Sequence, residues 1–310
     1  MIRSVAYLFP AFGMRYRGPL ERWPVGFDEE RERLLAVARG IVAVDVAAAG
    51  LASASDPLSN SLREHHLSYI DSCALAAVVA RSGLPCALAA GYSMGLFAAL
   101  AHCGALSFED GLHLIEHVVR VAHDVVDERD YGMGAVIGLD LEVVEAIVRD
   151  TGPGVEVADV SAERVIVLAG LCADVDRALA AATSAGALYA TMLPIVLPFH
   201  SSWMAPAGPR IREFLPRLRI RAPRCRVVSA VDQVVMTDAA AVARELAQNI
   251  VSPLHWLRTM QVLVDAGVGT VVECGFSESL CKFAKGLDPA PQVYHPKIFG
   301  RLVERASLVA

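Results

Sequence analysis

The sequence predicts an α/β protein in two parts, and three patterns carry that prediction. Short apolar runs alternate with amphipathic helical stretches, as around a buried, largely parallel sheet. Near residues 128–197 the order changes to β-α-β-β-α-β, the split ferredoxin-like arrangement. Ahead of that change, GYSMG (residues 91–95) sits where a strand meets a helix. The expected division is a large α/β-hydrolase-like subdomain with a parallel sheet, residues 1–127 and 198–310, and an inserted ferredoxin-like small subdomain, residues 128–197.

The elements follow in order. Residues 5–9 read as a buried strand, turned at Pro10 to Gly13. Residues 29–51 and 66–82 read as helices, the second ended by Gly83 and Pro85. Residues 87–91 are short, apolar and Ala-rich, as in a buried parallel strand, and 93–103 continue as helix. Gly104 punctuates; Ser107 with Asp110 fits a capped start for a helix running to about Val126. In the insert, strands are expected at 134–139, 155–160, 165–169 and 188–193, with helices at 141–150 and 172–185. Residues 227–231 and 270–273 supply later strands.

At 310 residues and 55% hydrophobic, the chain can bury a large core. No uncharged apolar run reaches the length of a membrane span; residues 34–52 come closest, interrupted by Arg39 and Asp45. The N-terminal apolar run is too brief for a leader peptide, so a cytoplasmic location without membrane contact is expected. The seven cysteines form no CxxC pair, which favours buried thiols over disulfides or a zinc site. No metal or cofactor is expected. A net charge of −6 argues against nucleic acid as a partner. The segment from Arg210 to Arg226 opposes that balance with seven arginines and one acid. It reads as a solvated face or as a docking patch for an acidic partner.

G-x-S-x-G is the nucleophile-elbow pattern. Glycines flank the serine because a Cβ on either side would clash in so tight a turn. The turn sets the Ser93 hydroxyl at a helix N-terminus, where the dipole favours a developing oxyanion and the Met94 N–H is placed to donate to it. A serine needs a base. Of nine histidines, His200 stands apart, in LPFHSSWM at the return from the insert to the main body, where a cleft forms.

These segments, with Phe9-Pro10, CGALSFEDG (103–111), MGAVIGL (133–139), SPLHW (252–256) and ECGFSESL (273–280), resemble the malonyl-CoA:acyl carrier protein transacylases and the acyltransferase domains of polyketide synthases. The resemblance runs nearly from end to end. It implies that Ser93 is acylated, that His200 is general base and acid, and that no acid completes a triad. Asn249 matches the position whose carbonyl orients the imidazole. The backbone N–H of Phe12 would be the second oxyanion donor. The implied reaction is ping-pong: an acyl thioester loads Ser93 and a second thiol removes the group.

Two departures bear on the substrate. Malonyl-type relatives carry Gly-Gln-Gly after the first Phe-Pro; here Ala11-Phe12-Gly13 keeps a backbone donor and loses the glutamine side chain. They also anchor the free carboxylate with an arginine twenty-five residues past the serine, and that position is Val118. Arg120 is two residues on, about 200° around a helix, and should face elsewhere. An unpaired buried carboxylate is costly, so the acyl group is expected to be uncharged there. Val118, Tyr92, Leu197 and Phe199 are the expected acyl pocket. An aminoacyl or peptidyl group also fits, with His65, His66 and Tyr92 as polar contacts or as structural residues.

The expected partner is an acyl carrier protein bearing a phosphopantetheine thioester, with acyl-CoA as a further donor. Arg210, Lys282 and Lys285 are candidate carrier contacts, and Met204 a contact for the pantetheine arm. The expected function is an acyltransferase of polyketide, antibiotic or related secondary metabolism, moving a non-malonyl group to or between carriers. Its alternative is an acyl hydrolase that clears carriers with the same dyad. A non-catalytic carrier-binding subunit would need neither Ser93 nor His200, and a lipase-like hydrolase would place its histidine later in the chain.

Overall fold

Every residue of the first strand from Val5 to Phe9 is buried, because that strand is covered on both faces. The computed structural model describes residues 4–11, 24–42, 57–295 and 298. Its large sheet comprises β1 (Ser4–Phe9), β2 (Leu88–Gly91), β7 (Arg226–Val228), β8 (Val235–Met236), β9 (Val268–Glu273) and β10 (Gln292–Tyr294). The small sheet comprises β3 (Tyr131–Ile137), β4 (Val155–Ala162), β5 (Val165–Leu171) and β6 (Tyr189–Met192). Around them lie α1 (Phe27–Arg39), α2 (Pro57–Arg81), α3 (Gly95–His102), α4 (Phe108–Val125), α5 (Leu141–Thr151), α6 (Cys172–Ser184), α7 (Ala207–Phe214), α8 (Ala239–Gln248), α9 (Trp256–Asp265) and α10 (Ser279–Ala284).

The large sheet runs β10-β9-β1-β2-β7-β8 and is parallel except for β8, which pairs antiparallel with β7. Alternation along β1 splits the core in two. Val5, Tyr7 and Phe9 face a cluster with Ile70, Phe97, Ile115 and Val118 from α2, α3 and α4. Ala6 and Leu8 face a second cluster with Trp256, Met260 and Leu280 from α9 and α10. The small sheet runs β4-β5-β3-β6, antiparallel throughout. One face packs Val136, Ile166 and Leu168 under α5 and α6 through Val144, Val175 and Leu179. Met133, Ala158 and Val167 join the first core cluster of the large sheet. The mixed α/β class, with a parallel-rich sheet and a separate antiparallel one, is the class the sequence predicts.

Local signals hold where chemistry is local. Ser107 caps α4 by accepting from the Asp110 N–H at 2.9 Å. Boundaries shift where it is not. α1 ends at Arg39, and residues 43–51 of the expected helix lie outside the described residues. α2 begins at Pro57, nine residues before the expected start, since proline suits a first helical turn.

The cysteine expectation needs a correction. Cys103 and Cys225 form a disulfide, 122 residues apart in sequence. The 221–225 segment runs beside 103–105, with Arg224 N donating to the Cys103 carbonyl at 2.7 Å and Arg221 N to Ala105 at 2.9 Å. That pairing is tertiary and leaves no spacing signature. Cys86 completes a group of three sulfurs within 4.8 Å. Among the described residues no helix is long and apolar enough to cross a membrane.

Candidate active site

The site starts at the end of β2. Gly91 pairs with Phe9 of β1, and the Tyr92 N–H donates to the Phe9 carbonyl at 2.9 Å before the chain turns into α3. Ser93 makes the turn with φ at 52°, in the left-handed region. For a side chain with a Cβ that conformation costs on the order of 1–3 kcal/mol, which the surrounding structure must offset. The glycines leave no room for a side chain. A Cβ on Gly91 would lie 2.2 Å from the Leu96 N and Cα, and one on Gly95 would lie 2.1 Å from the Phe9 carbonyl oxygen. Met94 precedes α3, and N–H groups at a helix start have no intrahelical acceptor. Phe12, the other expected oxyanion donor, lies outside the described residues.

His200 arrives from the far end of the small sheet. It too has positive φ, at 62°, held by the Phe199 N–H on the Leu197 carbonyl at 2.9 Å and the Ser201 hydroxyl on the Pro198 carbonyl at 2.5 Å. The turn after α8 grips it: His200 N donates to the Ile250 carbonyl at 2.9 Å. Ser93 Oγ and His200 Nε2 are 2.8 Å apart. His200 Nδ1 is 3.2 Å from the Ser252 carbonyl, which can only accept, so Nδ1 carries the hydrogen and Nε2 is free to accept from Ser93.

The principal acceptor for the imidazole is therefore Ser252, with the Asn249 carbonyl a lesser one. Asn249 also holds the other partner: its buried Nδ2 donates to the Ser93 carbonyl at 3.2 Å. Burial lowers the His200 pKa to about 4, against the smaller opposing effect of the Ser252 and Asn249 carbonyls. The imidazole is thus neutral near pH 7, as a proton acceptor must be.

The expected pocket residues separate. Val118, Leu197 and Phe199 are buried in one apolar cluster with Met94. Arg120 turns away and pairs with Glu116 on the outer face of α4. Tyr92 requires a correction: it packs on the opposite side of the large sheet, edge-on to Trp256 with ring centroids 5.4 Å apart. Its hydroxyl donates to Asp159 Oδ2 at 2.8 Å, so the phenol is committed to β4 rather than to an acyl chain. His66 is fully buried with Nε2 3.4 Å from the Leu112 carbonyl, and His65 Nδ1 lies 2.6 Å from the Ser61 carbonyl. Both are held by helix backbone.

A cleft of about 370 Å³ opens between Asn60, Arg63, Glu64 and His123 on one wall and Val196, Leu197 and Phe199 on the other. Neither Ser93 nor His200 borders it. Of the expected carrier contacts, Met204 is corrected: it is wholly buried behind the His200 turn and offers nothing to a pantetheine arm. Arg210 is exposed and paired with Asp124 at 2.9 Å. Lys282 and Lys285 are exposed, Lys282 bonded to Glu278 at 2.8 Å.

Sequence reasoning missed Asp159, buried at 1% exposure, and the Ser252 carbonyl. An acid on a strand and a backbone oxygen give no motif. Burial raises the Asp159 pKa to about 6, against hydrogen bonds from Ser161, Tyr92 and Trp256.

The chain resembles known proteins over most of its length. The chain is 32% identical over 201 residues to the malonyl CoA-acyl carrier protein transacylase of Salmonella typhimurium, a match spanning 64% of this chain and 65% of that protein. The chain thus spans just under two thirds of that relative's length. It is 30% identical over 292 residues to the polyketide biosynthesis protein ThaF of Burkholderia thailandensis, covering 92% of this chain and 24% of the larger protein. The structure of the malonyl CoA-acyl carrier protein transacylase from Coxiella burnetii superposes with a TM-score of 0.88 at 26% identity, over 99% of this chain and 98% of that one. The acyl transferase domain model matches residues 69–302, which takes in the elbow, the histidine and the turn that orients it; the chain belongs to the acyl transferase domain family.

Proposed function

We propose that the protein moves an acyl group, uncharged at its far end, from a thioester to an acyl carrier protein through an ester on Ser93. Ser93 Oγ attacks the thioester carbonyl carbon as its proton passes to His200 Nε2. The oxyanion faces the Met94 N–H, with the Phe12 N–H as second donor by resemblance. The C–S bond then breaks, the departing thiol takes the proton from His200, and the acyl group stays on Ser93. A second thiol, the phosphopantetheine of a carrier, reverses these steps and leaves with the group. The 2.8 Å contact between a serine at an elbow and a neutral histidine carries this reading.

Substrate class rests on Val118. At 1% exposure, in one cluster with Leu197 and Phe199, it offers no counter-charge. A carboxylate buried there without a partner would cost several kcal/mol. Acyl, aminoacyl and peptidyl groups neutral at that point fit. Names of relatives support carrier proteins as partners, with acyl-CoA as a further donor, and the likeness to ThaF supports a place in polyketide or related secondary metabolism. The exposed arginines from Arg210 to Arg226, with Lys282 and Lys285, suit an acidic carrier. The proposed subdomain limits remain 1–127 with 198–310, and 128–197, and the proposed location is the cytoplasm.

A second reading is hydrolysis of the same acyl-enzyme. It is favoured by the polar wall of Asn60, Arg63, Glu64 and His123 in the cleft beside Leu197 and Phe199, whose groups can hydrogen-bond water. One experiment separates the two: incubate the protein with a panel of acyl thioesters, read the mass added to Ser93, then supply a carrier. Transfer to the carrier supports the first reading, and loss of the mass to water the second. Loading by malonyl-CoA above all other thioesters would overturn the substrate class.

A further inference from the structure

Strand β4 touches all three pieces that make the dyad. Its pairing with β5 slips between Val157 and Asp159 and again between Val160 and Ala162. Such bulges break the two-residue alternation and re-aim side chains. Four consecutive residues, Ala158, Asp159, Val160 and Ser161, are buried as a result. The Asp159 carboxylate accepts at both oxygens: Oδ2 from the Tyr92 hydroxyl at 2.8 Å and from the Ser161 hydroxyl, and Oδ1 from the Trp256 N–H at 3.2 Å. The strand's backbone clasps the same turn, Leu254 N to the Ala158 carbonyl at 2.9 Å and Val160 N to the Leu254 carbonyl at 3.3 Å. Three residues earlier, Glu156 accepts from the Ser202 N–H at 2.8 Å and from the Ser202 hydroxyl.

Tyr92 precedes Ser93, Ser202 follows His200 by two residues, and the 252–256 turn carries the Ser252 carbonyl that orients the imidazole. We propose that Asp159 is a positioning residue for the dyad: by tying Tyr92 and the 252–256 turn to one carboxylate, it sets the separation of Ser93 Oγ and His200 Nε2. It acts through those groups and touches no substrate. A buried carboxylate is costly unless several donors meet it, and here three do. The same contacts join the small sheet to the elbow, so the insert holds the reacting atoms in register. This inference rests on the acyl-enzyme reading above.

The test uses the full chain and a fluorophosphonate, which reports serine activation whatever the acyl preference. Ser93 Oγ bonds to phosphorus, fluoride leaves, and the hydroxyl proton passes to His200. Labelling rates are read by intact mass for the unaltered protein, Ser93→Ala, Asp159→Leu, Asp159→Asn and Tyr92→Phe, with thermal melts on each. Because displacement of reacting groups by about 1 Å can cost about 100-fold, Asp159→Leu should label slower by that order. Asp159→Asn keeps an oxygen for the Trp256 N–H and should recover to within about 5-fold, the equivalent of one ordinary hydrogen bond. Tyr92→Phe, losing one bond, should fall by a similar factor.

Wild-type labelling rates in a folded Asp159→Leu, or an Asp159→Asn no faster than Asp159→Leu, would overturn the positioning role. Should Asp159→Leu fail to fold, the other two variants decide it: unchanged labelling in both overturns the role, and the stated reductions support it. Failure of the unaltered protein to label at Ser93 is a different result, because it removes the acyl-enzyme reading and the role of Asp159 with it.

Discussion

Ser93 and His200 both hold left-handed backbone, at φ of 52° and 62°, and the two turns present Oγ to Nε2 at 2.8 Å. Neither residue is a glycine, so each conformation is imposed from outside. For Ser93 the constraint comes from Gly91, Gly95 and the Phe9 carbonyl, and for His200 from the Ser201–Pro198 bond and the Ile250 carbonyl. Replacing either side chain should abolish or slow acylation without unfolding the protein. Ser93→Ala is expected to add no mass from any thioester, and His200→Ala to slow acylation by about 10²–10⁴-fold. Mass retained by Ser93→Ala would move the nucleophile elsewhere.

Gly95→Ala tests the elbow itself. A Cβ 2.1 Å from the Phe9 oxygen cannot be accommodated by rotating a side chain, because the oxygen is backbone and the backbone fixes where the Cβ lies. The variant should lose at least about 1–3 kcal/mol, the usual cost of overpacking, in denaturant unfolding. A midpoint equal to wild type would show that the turn can open.

Orientation of His200 by a carbonyl predicts an asymmetry between neighbours. Ser252→Ala leaves the carbonyl in place and should leave the acylation rate within about 2-fold, as surface-type substitutions do. Asn249→Ala removes the bond to the Ser93 carbonyl and should cost about 5-fold, the worth of roughly one hydrogen bond. The reverse order of effects would give the Ser252 hydroxyl the role assigned here to its backbone.

The low pKa of His200, about 4, sets a pH dependence. The acylation rate should stay flat from neutrality and fall only as pH drops through about 4; a midpoint near the ordinary imidazole value would refute the burial argument. Stability carries the same sign. The unfolded chain protonates near 6.5 and the folded histidine near 4, so the unfolded state binds more protons between those values and acid favours it. The loss for this one group amounts to about 3 kcal/mol once pH is below both values. His65 and His102, lowered by burial to about 3 and about 4, act in the same direction. Asp159, raised to about 6, opposes them between its ordinary value and that one. Denaturant midpoints in buffers from pH 7 to 4 would check the net fall.

Val118→Arg should admit malonyl-CoA to Ser93, with Val118→Gln as a control for size alone. Arg63, which borders the neighbouring cleft, makes the complementary test. Arg63→Ala should leave the thioester preference unchanged, whereas a malonyl preference in the wild type that vanishes in this variant would make Arg63 the carboxylate anchor. Charge reversal at Arg210, Arg217 and Arg219 should weaken carrier binding, and the difference should shrink as salt is raised. Equal affinities at low salt would leave that stretch a solvated face.

The sequence by itself determined the class of fold, the elbow and the identity of the pair. Those signals are short-range: strand and helix periods, two glycines around a serine, a capped helix at Ser107, and a histidine in a recognisable tetrapeptide. It also gave the expectation that Val118 stands where malonyl-type relatives carry a charge. Tertiary structure alone decided what surrounds them. The Ser252 carbonyl reaches His200 across 52 residues, Asp159 meets the Trp256 N–H across 97, and Cys103 meets Cys225 across 122. It likewise sent Tyr92 to the far side of the sheet and buried Met204. The physical reason is common to all of these: a hydrogen bond or a packed contact depends on which segments the chain brings together, and residue type constrains that only through the whole fold.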